Sequence, residues 1–418
     1  MKNIQSWVEI NPNSDFSIHN IPFGIYKSAN GVIQAGSALG DYVIDLNYLH
    51  SQFFFSDFDL PDDIFSQSTL NSFIGLGRTK TGQIRNRIIE LFSDHNQEIQ
   101  GNDEHKSACL VPMKDVEMLM PVHVPNYTDF YSSIEHATNV GTMFRDPENA
   151  LFPNWKHLPV GYHGRASSII ISGEAVKRPK GQSKAPDADT PSFGPTKRLD
   201  FELEMAFITC KDTGIGTSIS SEDAEDAIFG FVLFNDWSAR DMQVWEYVPL
   251  GPFLAKNFAS SISPWIITLD ALEQFKVAGP TQDPEVFPYL KYDGLKNYDI
   301  NLEVSIQPEG AEAKVVSNSN FKYMYWNINQ QLAHHTVNGC NIEVGDMYGS
   351  GTISGPTPDS YGSMLELAWK GTKPVQMNDG TERKFINDGD TVIMRGYAEK
   401  EGIRVGFGEV KSLILPSD

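Results

Sequence analysis

Glu202 and Glu204 stand two residues apart in the run FELEMAF, whose other positions are apolar. Successive side chains on a strand point to opposite faces, so the two carboxylates share one face, about 7 Å apart. Like charges that close repel and disfavour ionisation of one of them. Such a pair is ordinarily the wet face of an antiparallel sheet. Three further segments speak against that here. In NYTDFYSSIEHATNVGTMFR, Asp129 sits among aromatics, and Tyr131, His136 and Arg145 follow. In FGFVLFNDWSARDMQVWEY, Asp236 ends an apolar run, with Gln243 and Tyr247 beyond it. In PLGPFLAKNFASS, Lys256 is the lone charge. A charge at the end of a buried strand is costly unless it is paired or bound to metal.

One hard divalent cation reconciles these carboxylates. Calcium takes about six to eight oxygen ligands and magnesium about six. Asp129, Glu202, Glu204 and Asp236 are suitable ligands, and the cation relieves the repulsion between the two glutamates. Zinc fits less well, because no cysteine or histidine cluster has its spacing. Arg145 and Lys256 offset the negative charge that remains and leave the site able to admit an anion. Other signals are set aside. GLGRTKTG at 75–82 lacks the Lys-Ser/Thr ending of a phosphate loop. His334 and His335 are adjacent, point different ways, and read as satisfied helix histidines. No G-x-S-x-G elbow occurs.

The elements that must position these residues are mostly strands. Residues 23–48 alternate in short runs broken by Asn-Gly and Gly-Asp, as hairpins of a small β unit do. A helix is expected over Gln83–Ser93, where Ile84, Ile88, Leu91 and Phe92 recur at helical spacing. A polar stretch near 101 precedes a new apolar run at Leu110, so a domain boundary is expected near 110–122, drawn as 1–118 and 119–418. Beyond it IIISGEAV, FELEMAFITC, FGFVLFNDW, SPWIITL, LEVSIQ, DTVIMRGYA and SLILP read as strands. Helices are expected in SSIEHATNVGTMFR, SEDAEDA and NINQQLAHHTVN. Residues 177–198 are rich in Pro and Lys, without period, and read as a functional loop or a clamp over a site.

The whole chain bounds the function. Its 418 residues suit two domains, and 40% hydrophobic content suffices for a sizeable core. A net charge of -21 argues against a non-specific nucleic-acid binder and against docking on an anionic membrane. Three cysteines without CxxC spacing indicate a reduced, intracellular protein. The N-terminus shows no signal-peptide pattern and no run approaches the length of a spanning helix, so a cytoplasmic protein is expected.

Taken together, TDFYSSIEHATNVGTMFR, NALFPNWKHLPVGYHGRASSI, FELEMAF, VLFNDWSARDMQVWEYVPLGPFLAKNF, SGTISGP and SMLELAWKGT resemble the fumarylacetoacetase family. The resemblance runs from SDFSIHNIPFGIY to the last strands and so covers essentially the whole chain. It implies a mostly β (α+β) fold, a small SH3-like N-terminal barrel followed by a large mixed β-roll, assembled as a homodimer. It implies metal-dependent hydrolysis of a carbon–carbon bond in 4-fumarylacetoacetate, a dianionic diketone, to fumarate and acetoacetate, the last step of tyrosine breakdown. Asp129, Glu202, Glu204 and Asp236 match calcium ligands. His136 matches the base and Glu366 its orienting partner. Arg145, Gln243 and Lys256 suit oxyanion stabilisation, and Tyr131, Arg145, Tyr162, Gln243, Tyr247 and Thr352 match substrate contacts. A magnesium position matches Asp236, Lys256 and Ser260, although the segment reads AKNFAS where the family favours GKSFGT, with Ala255 and Ala259 in place of glycine.

The closest rival is a sibling activity on the same roll, an acylpyruvate hydrolase or a related β-diketone hydrolase, decarboxylase or isomerase. Those relatives are generally shorter and lack this kind of N-terminal domain, so residues 1 to about 110 favour the first reading. A metal-binding protein without catalysis would need the carboxylates but neither His136 nor Glu366.

Overall fold

A computed structural model describes residues 4–418. The first unit is a five-stranded antiparallel sheet of β1 (Phe23–Lys27), β2 (Ile33–Leu39), β3 (Tyr42–Asp45), β4 (Leu110–Pro112) and β5 (Glu117–Leu119), in the order β4-β3-β2-β1-β5. Gly31, with φ +85°, makes the turn between β1 and β2 that an L side chain would strain. The helix α1 (Arg78–Phe92) buries the expected stripe of Ile84, Ile88, Leu91 and Phe92. It begins five residues earlier than the apolar period indicates, because its first turn, Arg78 to Lys80, is polar and carries no such period. The run at 75–82 is therefore a turn and a helix start.

The second and larger unit is built on a sheet of β6 (Tyr127–Phe130), β7 (Gly161–His163), β8 (Ile169–Ile171), β9 (Leu203–Thr209), β10 (Ile228–Asp236), β11 (Ser260–Ile262) and β12 (Met347–Gly349). Their order is β7-β6-β12-β9-β10-β11-β8, and the short strand Ile267–Thr268 pairs with β10. Both faces of this sheet are covered. Leu203, Met205, Phe207, Phe231 and Leu233 face a core shared with the strands Asn301–Gln307, Thr391–Lys400 and Ile403–Leu415 of another sheet. Ala206, Ile208, Val232, Phe234 and Ile262 face a core shared with the N-terminal unit, including Phe23, Ile25, Phe73 and Ile88. The result is mixed α+β, mostly β, as the sequence leads one to expect.

Helices fill the ends of the layers. These are α2 (Ile134–Phe144), α3 (Arg240–Glu246), α4 (Ile328–Thr336) and the single turn α5 (Met364–Leu367). Ser133 caps α2, its Oγ accepting from the His136 amide at 3.1 Å, and Asn327 and Gln330 form a capping box on α4. His334 bonds the Tyr289 hydroxyl at 3.0 Å, and His335 packs edge-on against Tyr348 with ring centroids 5.0 Å apart. One expectation needs correction. SEDAEDA forms only a short 3-10 turn, Ala224–Ala227, because Ile228 already enters β10. Residues 177–198 contain regular structure. Lys180–Ser183 and Ser192–Pro195 pair as an antiparallel hairpin that packs on α3, its Gly181 lying where a Cβ would meet the Met242 sulfur at 2.7 Å.

Candidate active site

The sheet explains where the carboxylates go. Tyr127 and Asp129, Glu204 and Ala206, and Phe234 and Asp236 have matching parity, so each carboxylate prolongs the row that packs on the N-terminal unit. Register sets them side by side: Asp129 lies opposite Gly349, Ala206 opposite the other side of Gly349, and Asp236 opposite Ser260. Asp129, Glu204 and Asp236 are buried and each offers an oxygen within 4.8 Å of the others. Burial, and then repulsion by the neighbouring carboxylates, pushes the carboxyls of Asp129 and Glu204 well above the usual range. Gly351 donates its amide to both, at 3.2 and 3.1 Å.

These residues fit a hard cation. Glu204 Oε1 is buried and takes no hydrogen bond from the described residues. A Cβ on Gly349 would stand 2.6 Å from Asp129 Oδ1 and 3.0 Å from Glu204 Oε2, so only glycine leaves the cradle open. The donor set is all oxygen, which suits calcium or magnesium rather than zinc.

Glu202 behaves differently from Glu204. Its Oε1 accepts from Arg240 Nη2 at 2.9 Å and Thr352 Oγ1 at 2.7 Å. Its Oε2 accepts from Ser238 Oγ at 3.0 Å and from Lys256 Nζ. Burial opposes its charge, yet Arg240, Lys256 and His136 outweigh burial and hold it well below the usual range. Lys256 also donates to Asp236 Oδ2 at 2.6 Å, and Asp236 and Glu202 keep its ammonium charged despite burial. Tyr162 Oη donates to Asp236 Oδ2 and Ser260 Oγ to Asp236 Oδ1, both at 3.0 Å. Ala255 and Ala259 are buried beside this corner without displacing the Ser260 hydroxyl from Asp236.

His136 projects from the first turn of α2, only 3% exposed, and its Nδ1 meets Glu366 Oε2 at 2.7 Å. Glu366 also accepts from Asn139 at 2.9 Å, Ser363 at 2.8 Å and Ser354 at 2.9 Å. Burial works against the Glu366 carboxylate, but His136 and these hydrogen bonds prevail and hold it below its usual value. An ionised Glu366 makes Nδ1 the donor, so Nε2 carries the lone pair. Nε2 faces Glu202 Oε1 at 3.8 Å, toward the carboxylate corner. Tyr131 packs edge-on against the His136 ring, with centroids 5.2 Å apart.

Three expected residues stand at the margin. Gln243 reaches the network only as acceptor for Arg240 Nη1 at 3.2 Å. Arg145, at the end of α2, donates to the Ala150 carbonyl at 3.2 and 2.5 Å and lies over the Phe152 ring. Tyr247 is 49% exposed, and its hydroxyl makes no hydrogen bond with the described residues. Arg240 is the buried residue that sequence reasoning passed over. Its signal was the arginine four residues after Asp236 in DWSAR, a second cation beside a carboxylate strand. The arrangement joins a buried acceptor nitrogen, a carboxylate trio and two cations, which suits water activation next to a polarised carbonyl.

The chain matches the family model described as Fumarylacetoacetate (FAA) hydrolase C-terminal over residues 126–412, and that described as Fumarylacetoacetase N-terminal over residues 19–121. It is 52% identical to the fumarylacetoacetase of Caenorhabditis elegans, over 99% of this chain and 100% of the relative. It is 48% identical to that of Homo sapiens, over 99% of each. Among solved structures, a fumarylacetoacetate hydrolase from Exiguobacterium antarcticum shares the fold with TM-score 0.53 at 18% identity, covering 95% of this chain and 99% of that one.

Proposed function

The chain belongs to the fumarylacetoacetase family, and from that premise we propose how its site works. It is a hydrolase of carbon–carbon bonds in ketonic substances and cleaves 4-fumarylacetoacetate to fumarate and acetoacetate. The observation that carries the mechanism is the buried 2.7 Å pair of His136 Nδ1 and Glu366 Oε2.

His136 Nε2 takes a proton from the attacking water, and Glu366 holds the ring's orientation and stabilises the imidazolium. When bound, a divalent cation supplies Lewis-acid polarisation of a diketone carbonyl. Asp129, Glu204 and Asp236 would hold it, with Glu202 as the fourth carboxylate of the proposed set. Lys256, Gln243 and Arg145 steady the oxyanion. Tyr131, Arg145, Tyr162, Tyr247 and Thr352 receive the substrate's carboxylates. The proton returns from His136 to the leaving acetoacetate enolate.

Calcium is our reading for the carboxylate trio, supported by its all-oxygen donors, and magnesium for Asp236, Lys256 and Ser260, supported by the Ser260 hydroxyl on Asp236. A homodimer is supported by the exposed apolar run of Val244, Trp245, Val248, Leu250 and Phe253. The cytoplasm is supported by three unpaired cysteines.

The test is loss of the diketone absorbance of fumarylacetoacetate, measured beside acetylpyruvate and oxaloacetate with and without added calcium. Faster turnover of acetylpyruvate would move the protein to a sibling activity. Sedimentation at micromolar protein checks the dimer.

A further inference from the structure

The geometry points to Asp200 as a positioning residue that sets both halves of the site with one carboxylate. Asp200 is fully buried, and among the described residues it hydrogen-bonds neither His136 nor the carboxylate trio. Its Oδ1 accepts from the Met364 amide at 2.7 Å. Its Oδ2 accepts from the Leu365 amide at 3.0 Å and from Arg240 Nε at 2.8 Å. The first two donors belong to the opening turn of α5, and Glu366 is the next residue along. Arg240 is the other partner. Its remaining nitrogens go to Glu202 Oε1 at 2.9 Å and Gln243 Oε1 at 3.2 Å.

The first amides of a helix have no partner within it, and one turn of helix does not hold its own shape. Ser363 Oγ accepts from the Glu366 amide at a long 3.4 Å. Asp200 satisfies the two amides before it from a distant part of the chain. Backbone pairing brings it there, since Leu203 N donates to the Gly362 carbonyl at 2.8 Å and Glu202 bridges Ser363. The same carboxylate fixes the Arg240 fork, whose planar donors need an acceptor at Nε to hold Nη1 and Nη2 in place. Displacing Asp200 therefore moves the orienting carboxylate behind His136 and the guanidinium on Glu202 together.

The test is Asp200→Asn, which keeps the shape but leaves one acceptor oxygen for three donors and turns an amide N–H₂ toward the rest. This rests on fumarylacetoacetate as substrate, and parental turnover in the same assay checks that separately. We expect kcat to fall about 100-fold, the order seen when a positioned group is misplaced. KM should change less than about threefold. In a Glu366→Gln background, and separately in an Arg240→Lys background, the same change should cost only about tenfold, because part of its effect is already gone.

A second readout needs no substrate. The His136 Nδ1 proton, assigned by its loss in His136→Asn, should shift or broaden in the proton spectrum of Asp200→Asn. If that variant does not accumulate folded, Asp200→Glu carries the test, since it keeps the charge and displaces the carboxylate. Parental kcat with an unmoved Nδ1 proton, or an undiminished cost in both backgrounds, overturns the assignment.

Discussion

His136 and Glu366 are 230 positions apart in the chain and 2.7 Å apart in space, so their losses should not add. His136→Asn should lower kcat by about 100- to 10,000-fold, the usual worth of a general base. Glu366→Gln should cost less, and the double variant little more than His136→Asn, in a steady-state cycle. Additive losses would separate the two residues. Acid stability gives an independent check. His136 and its hydrogen-bond donors hold the buried Glu366 carboxyl, in the folded chain, below the ordinary glutamate value of 4.5. Below that pH the unfolded chain binds the proton that the folded chain refuses, so this contribution is complete above 4.5 and is lost as pH falls through the folded value. Thermal unfolding of Glu366→Gln should show a shallower acid limb than the parent. The two strand glutamates should also part company. Glu204 has an orphan oxygen whereas both Glu202 oxygens are engaged, so Glu204→Gln should weaken calcium affinity more than Glu202→Gln in calorimetry. Equal losses would make Glu202 a full ligand.

At the level of elements, the site is a row across five strands, and the gap in that row is as necessary as the carboxylates. Asp129 on β6 and Glu204 on β9 converge because β12 between them presents glycine at position 349. Gly349→Ala puts a methyl within 2.6 Å of Asp129 Oδ1, against a backbone that two neighbouring strands hold. It should abolish calcorimetrically detectable calcium binding while the protein still unfolds cooperatively, and retained affinity would mean that the trio is not the cradle. The hairpin of Lys180–Ser183 and Ser192–Pro195 shows how an element can lack a sequence signal. Its strands, KGQS and SFGP, carry one aromatic residue and no apolar period; they pair with each other and pack on α3. The same limitation hid the first turn of α1.

For the whole molecule, the division at 118/119 remains our proposal, and it makes a prediction about folding. The sheet residues Ala206, Ile208, Val232, Phe234, Ile262 and Met347 share a core with Phe23, Ile25 and Phe73. A fragment of residues 119–418 should expose that face and aggregate, as judged by light scattering, and a soluble, cooperatively folding fragment would show that the cores are separable. Much about this protein was legible in one dimension. Alternation marked β9, a continuous apolar run marked β10, the helical stripe marked α1, and charges in apolar runs drew attention to Asp129, Glu204, Asp236 and Lys256, because burying a lone charge is expensive wherever the chain goes. The motifs named the family. The tertiary structure decided which carboxylate does what. Glu202 and Glu204 have the same type, the same strand and the same face, and no local pattern distinguishes them. They differ because Arg240, Thr352, Ser238 and Lys256 converge on one, while Asp129, Asp236 and the bare Cα of Gly349 surround the other. Asp200 stayed invisible for the same reason. Its partners, Arg240 and the amides of Met364 and Leu365, lie up to 165 positions away, and a hydrogen bond spanning that distance depends on register across paired strands, which sequence periodicity does not encode.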